Sequence, residues 1–197
     1  VSEQRLRQFA DLVARWSAKI NLVSRHDIAH LWERHVQDSL RLIPLIEPGT
    51  PFAIDLGSGA GFPGMVLAIA TGIPFTLIES DKRKAAFLMD AARELAAPVK
   101  VLAVRIEDAK TKPAPLITAR ALAPLDKLLG LAAPHLAPDG ICLFPKGKNL
   151  DSELAAAAPL WHMKIERFAA SGDADACILK VSQLRHVGNI AGPAKAP

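Results

Sequence analysis

The chain has 197 residues, half of them hydrophobic and 22% charged, with a formal net charge of +4. That length supports one compact core, and the composition is that of an ordinary globular protein. No apolar run approaches the ~20 residues of a membrane span and the opening VSEQRLRQFADL lacks a signal core, so a soluble, cytoplasmic chain is expected.

Leu6, Phe9, Leu12, Val13, Trp16 and Ile20 recur at helical spacing and predict a first helix over 3–20 with one apolar face. Asp27 is placed to cap a second helix over about 28–43, carrying Ile28, Leu31, Trp32, Val36, Leu40 and Ile43 on one side. EPGTP at 47–51 breaks the pattern. From residue 52 short apolar runs at 52–56, 75–79, 99–104, 116–119 and 141–144 alternate with helical stretches at 63–71, 82–96, 125–136 and 150–158. A last pair of strands, about 164–169 and 177–183, flanks the turn SGDADA. Such alternation predicts an α/β fold, an open, mostly parallel sheet with helices on both faces. The expected organisation is a helical extension over 1–46, one domain over 47–187 and a flexible tail over 188–197, without internal repeats.

The stretch Asp55-Leu56-Gly57-Ser58-Gly59-Ala60-Gly61-Phe62-Pro63-Gly64 follows a strand and opens a helix. Glycines at 57, 59 and 61 allow a tight turn and close approach by a ligand. The dinucleotide fingerprint would require its third glycine at position 62, where this chain has Phe62. A bulky residue there suits a nucleoside ligand without a pyrophosphate, such as S-adenosylmethionine (SAM). Glu79 ends the second strand, where a carboxylate can accept from both ribose hydroxyls. Arg105, Ile106 and Glu107 close the third strand, which places Ile106 and Glu107 to meet an adenine. Strand-end capping or a plain polar cluster would explain Glu79 and Glu107 without a ligand.

WSAKINLVS (16–24), RHVQDSL (34–40), FAIDLGSGAGFPGMVLAI (52–69), LIESDKRKAAFL (77–88), RIEDA (105–109), ITARAL (117–122) and FPKGK (144–148) run in order through nearly the whole chain. In these pieces the chain resembles the glucose-inhibited division protein B family, the 16S rRNA guanine-N7 methyltransferases. The resemblance implies a class I SAM-dependent methyltransferase fold, Rossmann-like with a mostly parallel seven-stranded sheet and an N-terminal helical cap. It implies SAM as cofactor, S-adenosylhomocysteine as product, and a guanine in the decoding region of 16S rRNA as target. The ligand contacts it implies fall on Gly57, Phe62, Ile106, Glu107 and Arg120, with Glu79 at the ribose. With Asp55, Gly59 and Gly61 from the loop, these are the expected cofactor-binding residues.

The residues agree with that chemistry. Methylation of an exocyclic amine calls for an (N/D)PPY-type loop after the fourth strand, and here the chain reads Thr118-Ala119-Arg120-Ala121-Leu122-Ala123-Pro124. Carbon-5 of a pyrimidine needs a cysteine nucleophile. Cys142 and Cys177 both sit in apolar stretches, with no CxxC or Cys/His cluster to suggest a zinc or a disulfide framework, and no metal is expected. Guanine N7 carries a lone pair and no proton, so alignment alone can carry the reaction. No catalytic residue is therefore assigned; Arg120, Lys146, His35 and Asp38 are candidates for positioning the substrate. Arg34, Arg105, Lys146 and Lys148 are candidates for contacts with the RNA backbone. His35 and Ser39, one turn apart, read as a polar pair pinning the helical extension to the sheet, with Arg34 and Asp38 as a flanking i,i+4 pair. Trp16 and Trp32 read as core. The partner expected is 16S rRNA or the small ribosomal subunit, met by a monomer; a small-molecule SAM-dependent methyltransferase is the alternative.

Overall fold

A computed structural model of the chain describes residues 2–169 and 176–189, so most of the expected turn at 171–176 and the expected tail beyond 189 lie outside the described residues. Seven strands form one sheet: β1 (Ala53–Leu56), β2 (Phe75–Ile78), β3 (Val99–Leu102), β4 (Ala114–Ala119), β5 (Leu136–Lys146), β6 (Trp161–Ala169) and β7 (Cys177–His186). Their order is β3-β2-β1-β4-β5-β7-β6, with β1 to β5 parallel and β7 antiparallel to both neighbours. Three of these strands outrun their apolar stretches. The β5 ladder reaches back to Leu136, and Trp161 pairs with His186 at the outer end of β6 and β7. Backbone hydrogen bonds carry a ladder past the point where side-chain alternation stops.

Successive residues of the buried strands face opposite ways, and the core accordingly splits in two. Ala53, Leu77, Leu116 and Leu143 join one cluster, whereas Ile54, Ile78, Ile117 and Phe144 join the other. The helices α4 (Gly64–Thr71) and α5 (Lys82–Glu94) cover the first face, and α6 (Leu125–Ala132) and α7 (Leu150–Ala157) the second. The Asp81 carboxylate caps α5 by accepting the N–H groups of Arg83 and Lys84 at 2.8 and 3.2 Å.

The first helix, α1 (Ser2–Ser17), buries Leu6, Phe9, Leu12 and Val13 in the same cluster as α4 and α5. The second helix expected over 28–43 is not continuous. It is α2 (Arg25–Ile28), a π-helical turn (Trp32–Gln37), α3 (Asp38–Leu40) and a 3-10 turn (Ile43–Leu45). Its cap is Ser24 rather than Asp27: the Ser24 hydroxyl accepts the Asp27 N–H at 3.1 Å and donates to the Asp27 carboxylate at 2.6 Å. The buried apolar positions step from Leu31 to Val36, five residues, across the widened turn. That widening rotates i+4 away from i, so the expected Arg34–Asp38 pair does not form. Arg34 meets Asp27 at 3.0 Å, and Asp38 meets Arg41 at 3.6 Å. Trp16 and Trp32 are half-buried at the edge of the core, and Arg7 lies 4.5 Å over the Trp32 ring. Among the described residues no helix is long and apolar enough to cross a membrane.

Candidate cofactor site

The glycine loop takes φ values of +62° at Gly57, +56° at Gly59 and +95° at Gly61. At Gly57 a Cβ would also come within 2.5 Å of the Leu122 side chain, so the position is closed to other residues on two counts. The loop is held from both sides. The Ser58 N–H donates to the Ile78 carbonyl at 3.1 Å, and one Glu79 oxygen accepts the Gly59 N–H at 2.7 Å. The other Glu79 oxygen accepts the Asp81 N–H at 2.7 Å. Glu79 thus ties the loop to the start of α5, and each oxygen keeps acceptor capacity.

Asp55 and Gly61, expected among the ligand contacts, lie beneath the loop and line none of its hollows. Asp55 sits in register with Thr118 across β1 and β4 and accepts its hydroxyl at 2.6 Å. Burial pushes its carboxyl up to about 6. Gly61 packs under Phe9, Leu88 and Met65.

Three hollows meet at Arg120, the first residue past β4. The first, about 360 Å³, is lined by Gly57, Gly59, Glu79, Arg105, Ile106, Glu107 and Arg120. The second, about 240 Å³, lies between the loop and the helical extension, with Asp27, His35, Gly57, Phe62 and Arg120 in its walls. The third, about 520 Å³, runs past Asp38, Arg41, Arg120, Lys146, Glu153 and Cys177. A larger hollow of about 650 Å³ lies at the other end of the strands, by Phe52, Phe75 and Val99, and contains none of the expected site residues. The convergence of polar groups, not the size of the cavity, marks the site.

Arg120 lies 5.1 Å over the Phe62 ring, and its guanidinium reaches the Arg34 carbonyl at 3.5 Å. Burial lowers its pKa, while Asp55, Asp38 and Asp27 oppose that shift. His35 stacks on the same Phe62 ring, 5.1 Å between centroids and 27° between planes. Both of its ring nitrogens are buried without a hydrogen-bond partner among the described residues, and burial with the Arg120 charge holds its pKa down at about 4. Ser39 donates to the His35 carbonyl at 2.6 Å, inside its own helix. Neither His35 nor Ser39 therefore pins the extension to the sheet through a side-chain hydrogen bond; apolar packing does that. Asp38, on the third hollow, has its pKa raised by burial.

Lys146 does not stand free for RNA. Its ammonium is 2.6 Å from Glu153 and 3.3 Å from the Ala123 carbonyl, and Glu153 also accepts the Leu125 N–H at 3.0 Å. The pair clamps the loop between β4 and α6. Sequence reasoning missed Glu153, because its partner lies seven positions back across a strand end and its role appears only in the fold. Arg105 and Lys148 are exposed, and Arg34 is exposed but paired with Asp27. Cys142 is buried, as expected; Cys177 is only half-buried, because it starts β7 at the wall of the third hollow. Among the described residues no group of three His, Cys, Asp or Glu side chains could hold a metal.

Solved structures with this architecture include the N-methyltransferase NodS from Bradyrhizobium japonicum in complex with S-adenosylhomocysteine. It aligns with TM-score 0.60 and 13% identity over 86% of this chain and 97% of that one. The glycopeptide N-methyltransferase MtfA with bound SAM aligns with TM-score 0.61 and 11% identity over 75% and 93%. At such identities the likeness establishes the class I SAM-dependent methyltransferase fold. In sequence, the ribosomal RNA small subunit methyltransferase G of Acidiphilium cryptum is 58% identical over 183 residues, 91% of this chain and 84% of that one. The protein of the same name from Gluconobacter oxydans is 54% identical over 186 residues, 94% and 96%. The family model described as rRNA small subunit methyltransferase G matches residues 2–172, and the chain belongs to that family.

Proposed function

We propose that the protein transfers a methyl group from SAM to N7 of a guanine in the decoding region of 16S rRNA, acting as a monomer in the cytoplasm where rRNA is made. The observation that carries this reading is the meeting of three hollows at Arg120, in a chain of the rRNA small subunit methyltransferase G family. The first hollow suits the nucleoside end of SAM: Glu79 offers acceptors to the ribose hydroxyls, and Ile106 with Glu107 borders the adenine. SAM supplies an electrophilic methyl group on a sulfonium. The chain's own work is to align the acceptor and keep water out, since a lone pair without a proton needs no general base.

The third hollow suits the target base. Of its two carboxylates, Glu153 is held by Lys146 at 2.6 Å, and Asp38, met by Arg41 only at 3.6 Å, keeps acceptor capacity for a base. A carboxylate accepts from the N1–H and N2–H groups of guanine, and adenine offers no such pair of donors. Arg105 and Lys148, exposed and cationic, suit phosphate contacts. A small-molecule acceptor would leave those basic residues without a task.

The test uses methyl-labelled SAM with unmethylated small-subunit particles and, separately, naked rRNA, followed by chemical cleavage at 7-methylguanosine. The expected result is label in one guanine of the decoding region. Bound SAM with no label in either RNA would refute the assignment and favour a small-molecule acceptor.

A further inference from the structure

The second hollow is built jointly by the glycine loop and the helical extension. Leu22, Val23, Asp27 and His35 come from the extension, and Gly57 to Ala60 from the loop. Three side chains there carry complementary chemistry. The Arg120 guanidinium is a cation held over Phe62. The Asp27 carboxylate accepts the Ser24 hydroxyl on one oxygen at 2.6 Å and meets Arg34 with the other at 3.0 Å, and it puts a negative charge in the wall of the hollow. Neutral His35 presents one ring nitrogen as a donor and the other as an acceptor.

Both His35 nitrogens are buried and unpartnered among the described residues. A buried polar atom left unpaired forfeits its hydration without replacement, so such a residue points to a bound group that completes it. An anion-binder, a cation-binder and a dual donor/acceptor around one small hollow match a zwitterion: an α-carboxylate and an α-ammonium on one carbon. The hollow shares Gly57, Gly59, Arg120 and Ala121 with the nucleoside-sized hollow beside it. A single ligand with a nucleoside at one end and an amino acid at the other therefore spans the two.

We propose that His35, with Asp27, holds the amino-acid end of SAM, so that the helical extension completes the cofactor site. This rests on SAM being the cofactor. His35 is a binding residue here, and the π-helical turn that carries it sets its ring on Phe62.

The experiment measures binding of two probes by calorimetry in the full chain. S-adenosylhomocysteine carries the amino-acid arm; 5′-methylthioadenosine has the nucleoside and thioether without it. In His35→Phe, which keeps a ring over Phe62 and removes both nitrogens, the Kd for S-adenosylhomocysteine is expected to rise by about tenfold or more. The Kd for 5′-methylthioadenosine is expected to stay within about twofold. Asp27→Asn, at a partly exposed turn, is expected to weaken the first probe selectively as well and carries the test should His35→Phe not fold. Equal weakening of both probes, or no change in either, overturns the proposal. Unchanged binding of S-adenosylhomocysteine with a raised KM for RNA also overturns it and moves His35 to the acceptor side. Wild-type protein that binds neither probe would instead show that the SAM reading itself is wrong.

Discussion

The two walls of the cofactor cleft are built differently. On the sheet side, polar groups are satisfied by the chain: Glu79 by two backbone N–H groups, Lys146 by Glu153 and a carbonyl. On the side of the helical extension, both His35 nitrogens are orphaned, and beneath the loop so is one Asp55 oxygen. The sheet wall that faces the cleft is tied together by the chain itself, whereas the extension wall carries in His35 a polar ring that the described residues leave unpaired. Stability and binding are therefore divided between the walls, and substitutions on the two should separate them.

The largest effect expected breaks both walls at once. Gly57→Asp puts a side chain at φ +62° and into Leu122, and should weaken binding of S-adenosylhomocysteine by more than about a thousandfold by calorimetry. Next, Lys146→Met strands Glu153 and is expected to lower unfolding stability by about 3 kcal/mol in denaturant titrations. The double variant Lys146→Met/Glu153→Leu should recover most of that stability but not kcat, because the bonds to Ala123 and Leu125 that hold the loop after β4 are gone.

A pH titration of stability sharpens the contrast. Asp55 is raised from 3.8 to about 6, so the native state holds its proton more tightly and stability from this group falls as pH rises from about 4 to 6. His35 is lowered from 6.5 to about 4, so stability from it is present above pH 6.5 and is lost as pH falls toward 4. The slopes oppose each other, and the wild-type profile between pH 4 and 6.5 should be nearly flat as far as these two groups decide it. His35→Phe should uncover the Asp55 slope, up to about 3 kcal/mol falling with pH, and Asp55→Asn should uncover the opposite one. Parallel profiles for the two variants would refute this balance. The smallest effect touches neither wall: Lys148→Ala should raise KM for rRNA a few-fold and reduce the salt slope of binding by about 1, leaving Kd for S-adenosylhomocysteine unchanged.

The glycine loop and the strand–helix alternation were legible because they are local. A GxGxG run after an apolar strand states its own geometry, and the structure gathers Gly57, Gly59, Glu79, Ile106, Glu107 and Arg120 around one hollow. What stayed hidden depends on distant partners. The helix at 28–43 has good amphipathic spacing, yet its turn is widened at Trp32–Gln37, where His35 meets the Phe62 ring of the distant loop. Asp55 reads as a loop residue until Thr118 is brought beside it by β-sheet register. Lys146 reads as a free cation until Glu153 arrives on α7.

One column of rings runs through the molecule. Trp16 meets Phe87 at 5.6 Å, Phe87 meets Phe9 at 6.4 Å, Phe9 meets Phe62 at 5.3 Å, and Phe62 carries both His35 and Arg120. The column crosses from α1 to α5, returns to α1 at Phe9, and passes to the glycine loop and back to the extension, so no cut between extension and sheet leaves its rings packed. The two should therefore melt in one cooperative transition, with tryptophan fluorescence and far-ultraviolet circular dichroism changing at the same temperature. Occupancy of the cofactor cleft would then raise the melting point of α1 as much as that of the sheet.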